Sequence, residues 1–286
     1  MTTRLQRFRE VLERARARRG VALMGVCNVT PDSFSDGGRY LGADAARARV
    51  DELLAEGADY VDVGGESTRP GAAPVPAREQ LARVLGVVKH AVERGACVSI
   101  DTTSPEVAAA CLDAGACVVN DVSCLRDVEL AKVVAANGAA LILMHSRGPQ
   151  EQMRGFSEYP DDAYGDVVED VKREWLEAAG RAMAVGVPET ALVMDPGLGF
   201  AKNARQSLEL LHRIDDYRSK TPILIGASRK SFLRSVDAEA SPEQRLGASI
   251  GAALHALCLD ASILRVHDVR ATAQAIDMTH VLAKGP

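Results

Sequence analysis

The sequence predicts an α/β protein, a single (β/α)8 barrel with one extra helix at its N-terminus, and three observations support this fold class. Eight short apolar runs alternate with longer segments of helical period. The runs are almost continuously apolar, as expected of parallel strands that are buried on both faces. Eight strand and helix pairs within 286 residues also match the usual size of this barrel.

The first element is a predicted amphipathic helix over residues 1–20, and the barrel domain is predicted over 21–286. The apolar face of this helix consists of Leu5, Phe8, Val11 and Leu12. Its other faces are rich in arginine, so a basic arm for nucleic acid is an alternative. The interspersed Glu10 and Glu13 and the net charge of −5 argue against that alternative.

The barrel units follow in order along the chain. The predicted strands are ALMGVC at 22–27, YVDV at 60–63, CVSID at 97–101, CVVN at 117–120, ALILMH at 140–145, LVMD at 192–195, ILIG at 223–226 and SILRVH at 262–267. The predicted helices are 43–56, 77–94, 105–114, 127–137, 160–186, 204–219, 242–258 and 268–284. A doubly wound sheet is the alternative, but the sequence lacks the glycine-rich phosphate turn of that fold.

Composition predicts where the protein functions. The six cysteines form no C-x-x-C pair and mostly lie inside apolar runs, so we expect buried, reduced thiols. No apolar run is long enough to span a membrane, and residues 1–20 are too charged for a secretory signal. We therefore expect a cytoplasmic protein that binds neither membranes nor nucleic acid.

Polar side chains lie at the C-terminal end of nearly every predicted strand. In a (β/α)8 barrel these ends face one common mouth. The residues are Asn28, Asp62, Asp101, Asn120, His145, Asp195, Ser228, Arg229, Lys230, Arg265 and His267. Any single one could be an ordinary helix cap or turn residue. Together they predict a polar ligand-binding site.

One side of this mouth suits a nitrogen-rich heterocycle. Asp62, Asp101 and Asp195 offer carboxylates, and Asn120 offers an amide, to the ring edge. A transition-metal site is the alternative, but His145 is the only imidazole on the middle strands and no H-x-H or H-E-x-x-H motif occurs. A metal that arrives with a phosphate substrate fits the sequence better.

The other side suits an anion. Arg265 and His267 alternate onto one face just before a predicted helix, and the loops after strands 7 and 8 are the usual phosphate position in this barrel. Asn28 on strand 1 is a neighbour of strand 8. The alternative is an ion pair between Arg265 and Asp268.

Three loops complete the predicted mouth. Residues 28–39 and 64–75 are rich in Gly and small polar side chains, which makes them candidate lids. In the third loop, D-P-G-L-G-F at 195–200, Phe200 is either a packing residue or a wall for a flat substrate.

Eight motifs resemble the dihydropteroate synthase family in order and spacing across residues 22–285. They are NVTPDSFSDGG at 28–38, DVGGESTRPG at 62–71, SIDTTSPEV at 99–107, NDVSCL at 120–125, LMH at 143–145, DPGLGF at 195–200, GASRKSF at 226–232 and RVHDV at 265–269. The resemblance implies a usually dimeric barrel transferase of folate biosynthesis. It would join 6-hydroxymethyl-7,8-dihydropterin pyrophosphate to p-aminobenzoate, releasing pyrophosphate and 7,8-dihydropteroate.

The resemblance also implies a role for individual residues. Pterin binding falls to Asp101, Asn120, Met144, Asp195 and Lys230. Pyrophosphate binding falls to Asn28, Arg69, Arg265 and His267, with Asn28 as the Mg²⁺ ligand. The p-aminobenzoate site falls to Thr68, Arg69, Pro70, Phe200, Lys230 and Ser231. The implied catalytic set is Asn28, Asp101, Asp195, Lys230, Arg265 and His267.

One segment departs from the family pattern. After strand 5 the sequence reads LMHSRGPQEQM at 143–153, where many members read LMHMQG, so we expect a differently shaped loop. Two alternative functions remain: a pterin-binding methyltransferase domain and a pterin-binding paralogue without activity. The anion site at Arg265 and His267 and the motif at 28–38 argue against the methyltransferase domain. The same motif, with Lys230 and Arg265, argues against the inactive paralogue.

Overall fold

The structure is a computed structural model that describes residues 2–30, 38–67, 72–149 and 159–284. The strands are β1 (Ala22–Asn28), β2 (Tyr60–Gly64), β3 (Cys97–Asp101), β4 (Val118–Asp121), β5 (Ala140–Met144), β6 (Leu192–Asp195), β7 (Leu224–Ile225) and β8 (Ile263–Val266). The α-helices are α1 (Arg4–Arg19), α2 (Gly38–Ala55), α3 (Ala77–Glu93), α4 (Pro105–Asp113), α5 (Val128–Asn137), α6 (Val167–Ala184), α7 (Ala204–His212), α8 (Ile214–Tyr217), α9 (Leu246–Cys258) and α10 (Val269–Lys284).

The strands form one parallel sheet in the order β6-β5-β4-β3-β2-β1-β8-β7. A parallel bridge between Met194 and Ile223 joins its two edges, so the sheet closes into the predicted (β/α)8 barrel. The register aligns Asn28, Gly64, Asp101 and Asn120 in one row across β1 to β4. The strand-end side chains therefore meet at one mouth, as the sequence predicts.

Apolar side chains pack in two places. One cluster lies between the strands and the surrounding helices, where Leu53 of α2 packs so closely on β1 that a Cβ on Gly25 would lie 2.7 Å from its methyl group. The second cluster lies inside the barrel at the start of the strands and includes Phe8 of α1. Helix α1 therefore closes the end of the barrel opposite the mouth.

Helix α1 is held against the barrel by hydrogen bonds and ion pairs, most of them made by its arginines. The hydroxyl of Tyr60 donates to the carbonyl of Phe8 at 2.7 Å. Arg4 and Arg7 donate to backbone carbonyls beside α4, α5 and β3. Arg16, Arg18 and Arg19 pair with Asp260, Asp59 and Asp277. These arginines serve the fold, which weakens the alternative of a free basic arm.

Four predicted helices differ from the structure. Helix α2 starts at Gly38 and not at 43, and the segment predicted at 242–258 starts with a 3-10 turn at 243–245 before α9. The segment predicted at 160–186 starts with a 3-10 turn at 161–163, and α6 begins only after Asp166, whose side chain accepts from the amides of Val168 and Glu169. The segment predicted at 204–219 is divided into α7 and α8 at Arg213. Its ψ of 35° is not a helical value, so the first helix ends there. A helical period does not reveal such interruptions because the same apolar face continues across them.

The cysteine prediction is confirmed for four of six side chains. Cys27, Cys97, Cys111 and Cys117 are buried, all six thiols are free, and Cys124 is partly buried. The prediction is wrong for Cys258, which is exposed because it lies at the C-terminus of α9 on the outer ring of helices. Within the described ranges, no helix is both long and apolar enough to cross a membrane.

Candidate active site at the mouth of the barrel

Arg265 lies between two buried carboxylates. Its Nε donates to Asp62 Oδ2 at 2.7 Å, and its Nη2 donates to Asp101 Oδ2 at 2.8 Å. Asn120 Nδ2 also donates to Asp62 Oδ2, at 3.2 Å. The alternative pairing of Arg265 with Asp268 is wrong, because Asp268 is instead held by Arg229.

This pairing sets the protonation of the cluster. Burial raises the pKa of Asp101 to about 7, although the Arg265 guanidinium opposes the rise. Burial disfavours the charge of Arg265, but Asp62 and Asp101 outweigh it and raise the pKa of the guanidinium. The cluster therefore holds a permanent cation beside a carboxyl group that titrates near neutral pH.

Three oxygens of this cluster are buried without a hydrogen-bond partner among the described residues. They are Asp62 Oδ1, Asp101 Oδ1 and Asn120 Oδ1. An unpaired buried acceptor costs on the order of 1–3 kcal/mol, so folded proteins rarely retain several together unless a ligand supplies the donors. The site is thus built to receive N–H or O–H groups.

Asp195 and Lys230 line the part of the mouth formed by the end of β6 and the loop after β7. Asp195 Oδ1 accepts from the amide of Gly197 at 2.8 Å. Lys230 Nζ donates to the carbonyl of Leu198 at 2.6 Å and lies 4.7 Å from the centroid of the Phe200 ring. Burial raises the pKa of Asp195, which Lys230 partly offsets, and burial lowers the pKa of Lys230 to about 8.

The backbone before Lys230 is strained and fixed. Arg229 has a φ of +61°, which non-glycine residues rarely adopt. Its Nε and Nη2 donate to the two oxygens of Asp268 at 3.0 and 2.6 Å, and its amide donates to Ser249 Oγ at 2.9 Å. These hydrogen bonds stabilise the unusual backbone conformation of Arg229. They therefore also fix the orientation of Lys230, the next residue.

His267 is placed by a serine and an arginine. Its Nδ1 lies 3.1 Å from Ser228 Oγ, and Arg49 of α2 donates to its carbonyl at 2.5 Å. Burial, Arg265 and Arg229 lower the pKa of His267 to about 3. The ring is therefore neutral, because burial and two nearby guanidinium groups disfavour its charge. At the predicted anion site His267 offers an N–H group and not a positive charge.

The apolar part of the site is small. Phe200 packs with Met144 and Val122 in a buried cluster of its own, and the ammonium group of Lys230 lies over the ring. Of the two interpretations of Phe200, this position favours a wall of the site. Ser231 follows Lys230 at the start of a 3-10 helix and is partly buried.

Several predicted positions receive no structural description. Thr68, Arg69 and Pro70 lie outside the described residues, as do 31–37 in the first candidate lid. Asn28 is described: it ends β1, it is exposed, and its Oδ1 would lie 3.5 Å from a Cβ on Gly64. The roles predicted for these residues remain predictions.

One buried side chain next to the site was not predicted from the sequence. Lys202 follows the D-P-G-L-G-F motif and is completely buried behind Phe200. A lysine in a polar loop normally reaches solvent, so nothing in its sequence context indicated burial. Asp62 was predicted to face the heterocycle but is absent from the residues that the family resemblance implies, although it shares Arg265 with Asp101.

The fold and this polar mouth define a barrel protein with a ligand site, and comparisons identify its family. The profile described as "Pterin binding enzyme" matches residues 24–267. The chain therefore belongs to the pterin-binding enzyme family. A dihydropteroate synthase of Mycobacterium leprae is 44% identical over 90% of this chain and 91% of its own length.

Solved structures agree with this assignment. A dihydropteroate synthase of Xanthomonas albilineans with 4-aminobenzoic acid has a TM-score of 0.85 and 39% identity, covering 93% of this chain and 94% of the other. A Burkholderia cenocepacia dihydropteroate synthase complexed with 7,8-dihydropteroate has a TM-score of 0.82 and 38% identity, covering 92% of each chain.

Proposed function

We propose that this chain is a transferase that joins 6-hydroxymethyl-7,8-dihydropterin pyrophosphate to p-aminobenzoate, giving 7,8-dihydropteroate and pyrophosphate for folate biosynthesis. The observation that supports it best is the set of buried, unpaired oxygens on Asp62, Asp101 and Asn120. A pterin ring edge presents amino and ring N–H donors that would satisfy them. The relatives named dihydropteroate synthase support the same reaction.

The pterin ring would lie between the carboxylate cluster and Asp195. Asp101 and Asn120 accept from one part of its edge and Asp195 from another, while Lys230 donates to a ring acceptor. Met144 contacts a ring face. Burial raises the pKa of Asp101 and of Asp195, and N–H groups that donate to both carboxyl groups would favour their charged forms.

The pyrophosphate would bind where β8 meets α10. Arg265 supplies positive charge, His267 supplies a neutral N–H, and the first amides of α10 add their partial positive charge. Arg69 is proposed to close over this group. The cation of Arg265 is shared with Asp62 and Asp101, so the pterin and anion parts of the site contact one another through this side chain.

We also propose Mg²⁺ as the metal, brought in by the substrate. No cluster of three or more acidic, cysteine or histidine side chains suited to a metal occurs within the described residues. Asn28 offers one exposed amide oxygen at the end of β1. Mg²⁺ commonly binds through one or two protein oxygens, several waters and substrate phosphates, so this single ligand fits. When bound, it would neutralise charge on the pyrophosphate.

The chain's residues would favour departure of pyrophosphate before the amine attacks. Arg265 and His267 stabilise the negative charge that develops on the leaving group. Asp101 and Asp195 stabilise the positive charge that develops on the pterin methylene. Lys230 and Phe200 hold the neutral arylamine of p-aminobenzoate at that carbon. Direct displacement is the alternative order.

A homodimer and a cytoplasmic location belong to the same proposal. On α10, Met278, Val281 and Leu282 are exposed apolar side chains. They lie within five residues of one another near the C-terminus of this helix, so they provide an apolar surface that a second copy could cover. The reduced thiols fit a reducing compartment.

Incubation of the purified protein with the pterin pyrophosphate, p-aminobenzoate and Mg²⁺ tests the proposed reaction. We expect pyrophosphate and dihydropteroate to form in equal amounts, and no dihydropteroate to form when p-aminobenzoate is omitted. Binding of the pterin without any product would support the inactive paralogue instead.

Replacing His267 by alanine tests the anion part of the site. Removal of a neutral N–H donor should raise the dissociation constant of Mg²⁺-pyrophosphate about 3- to 10-fold, because such a hydrogen bond contributes about 0.5–1.5 kcal/mol. Calorimetry should show nearly unchanged affinity for a pterin without phosphates. His255→Ala removes an exposed imidazole of α9 and serves as the control. Equal loss of affinity for both ligands would contradict the assignment of His267 to pyrophosphate.

A further inference from the structure

Lys202 lies in the loop between β6 and α7, and its side chain is completely buried (0% exposed). Its Nζ lies 3.1 Å from the carbonyl oxygen of Gly197, 3.0 Å from that of Phe200 and 3.3 Å from that of His145. Burial lowers the pKa of Lys202 to about 7, and Asp195 partly offsets this effect. A buried amine is stable only when it is hydrogen-bonded, and here the loops after β5 and β6 provide the acceptors.

The two loops also touch directly. Gly197 has a φ of +68°, and a Cβ at this position would lie 1.9 Å from the carbonyl oxygen of His145. Only glycine allows this approach, and the approach brings both loops within reach of one ammonium group. Lys202 therefore joins the backbone after β5 to the backbone after β6.

His145 extends this connection toward the surface. Its Nδ1 lies 2.9 Å from Lys202 Nζ, and its Nε2 lies 3.0 Å from Glu174 Oε2. Burial opposes the charge of Glu174, but its hydrogen bonds to His145 and Arg147 outweigh burial and lower its pKa, so the carboxylate is ionised and can only accept. The ring proton of His145 is therefore on Nε2, where it is donated to Glu174, and Nδ1 accepts from Lys202. Burial lowers the pKa of His145 to about 4, in agreement with a neutral ring.

Arg147 completes a closed set of contacts. Its Nε donates to Glu174 Oε2 at 2.9 Å, and its guanidinium carbon lies 3.8 Å from the centroid of the Tyr164 ring. The hydroxyl of Tyr164 donates at 2.9 Å to the carbonyl of Ala201, the residue before Lys202. We call Lys202, His145, Glu174 and Arg147 the loop clamp. Arg147 belongs to the segment at 143–153 that departs from the family pattern.

The front of the same loop faces the active site. The carbonyl of Leu198 accepts from Lys230, and the ring of Phe200 lies beneath the same ammonium group. Lys202 donates to the carbonyls of Gly197 and Phe200, which lie on either side of Leu198 in the sequence. A shift of the loop would therefore move the Phe200 ring and the acceptor of Lys230 together.

We propose that Lys202 is a positioning residue for the reaction, and that the loop clamp fixes Phe200 and Lys230 where p-aminobenzoate binds. Lys202 itself touches no substrate and acts through the backbone of 197–200. This inference rests on the proposed function. It assigns a role to the buried amine of Lys202 and to the side chain of Arg147 in the loop after β5.

Lys202→Met tests the proposal, because methionine retains the length of the side chain and removes every donor. We expect kcat/KM for p-aminobenzoate to fall about 10- to 100-fold, since small misplacements near reacting groups have effects of this size. The dissociation constant of the dihydropterin should change less than about threefold, which separates positioning of p-aminobenzoate from loss of the whole site. Lys132→Met, at an exposed lysine paired with Glu129, should retain wild-type values.

A double-mutant cycle with Phe200→Leu distinguishes positioning from general stabilisation. If Lys202 acts through the Phe200 ring, Lys202→Met should reduce kcat/KM less in the Phe200→Leu background than in the wild type. Equal reductions in both backgrounds would overturn the proposed route. Wild-type kinetics in Lys202→Met would overturn the positioning role itself.

Hydrogen exchange over residues 195–203 gives a readout that does not need the reaction. In Lys202→Met, the amides of Gly199 and Phe200 should exchange faster while those of α10 remain unchanged. Faster exchange in a protein without synthase activity would refute the proposed function but not the structural role of the clamp. If Lys202→Met does not fold, Arg147→Met tests the loop clamp instead, at a side chain that is 31% exposed. Wild-type exchange and kinetics in that variant would overturn the proposal.

Discussion

Replacing Arg265 by methionine is expected to lower the free energy of unfolding at pH 8 by about 3–5 kcal/mol, the range measured when one partner of a buried ion pair is removed. Arg265 donates to both Asp62 and Asp101, whose side chains are almost completely buried. Methionine fills a similar volume but leaves both carboxyl groups unpaired. Denaturant unfolding of the variant and the wild type measures the difference.

The loss should depend on pH in a defined direction. The pKa of Asp101 in the folded protein is about 7, above that of an unfolded aspartate near 3.9, so its contribution favours folding at low pH and is lost as the pH rises toward 7. Arg265 lowers this pKa, so the pKa of Asp101 should be higher in folded Arg265→Met than in the wild type. The stability that Asp101 contributes should therefore keep falling up to a higher pH in the variant. The variant should therefore differ less from the wild type at pH 5 than at pH 8.

Two variants control this result. Arg265→Met combined with Asp101→Asn should recover part of the lost stability, because one unpaired charge is removed. Arg16→Met breaks an exposed pair with Asp260 and should lower the unfolding free energy by about 1 kcal/mol at most. A loss in Arg265→Met no larger than that of Arg16→Met would show that the two carboxyl groups do not depend on Arg265.

Replacing Asp195 by asparagine should weaken pterin binding about 10- to 150-fold, because a hydrogen bond to a charged group contributes about 1.5–3 kcal/mol. Asparagine keeps an oxygen that can accept from the amide of Gly197, so the loop should retain its path. Calorimetric titration with a dihydropterin that lacks phosphates measures the affinity directly and separates this effect from the anion site.

Asp59→Asn is the matched control for this variant. Asp59 is a mostly buried carboxylate that pairs with Arg18 and accepts from the amide of Leu23, at the opposite end of the barrel. Its replacement should leave pterin affinity unchanged. Unchanged affinity in Asp195→Asn, with a native unfolding profile, would exclude Asp195 from the pterin site.

The success of the fold prediction comes from the periodicity of the sequence. Each apolar run must be buried on both sides, so its length and spacing already indicate parallel strands between helices. Residues at the ends of such strands meet at one edge whatever the details of packing. For this reason Asn28, Asp101, Asn120 and Asp195 could be placed at the mouth without coordinates.

Helix boundaries were less predictable. The separation of α7 from α8 at Arg213 and the start of α6 after Asp166 depend on local backbone angles and caps. The spacing of apolar residues does not reveal these backbone angles and caps. The exposed position of Cys258 likewise depends on which face of α9 points outward.

What the sequence by itself determined is the barrel, the polar mouth and the identity of most side chains around it. Only the tertiary structure decided how those side chains pair: Arg265 with Asp62 and Asp101, His267 as a neutral ring beside Ser228, and Lys202 buried under the backbone of 197–200. Pairing and charge depend on distance and on the loss of water, and the partners are far apart along the chain. Sequence order fixes neither of these quantities, so they emerge only when the strands close into a barrel.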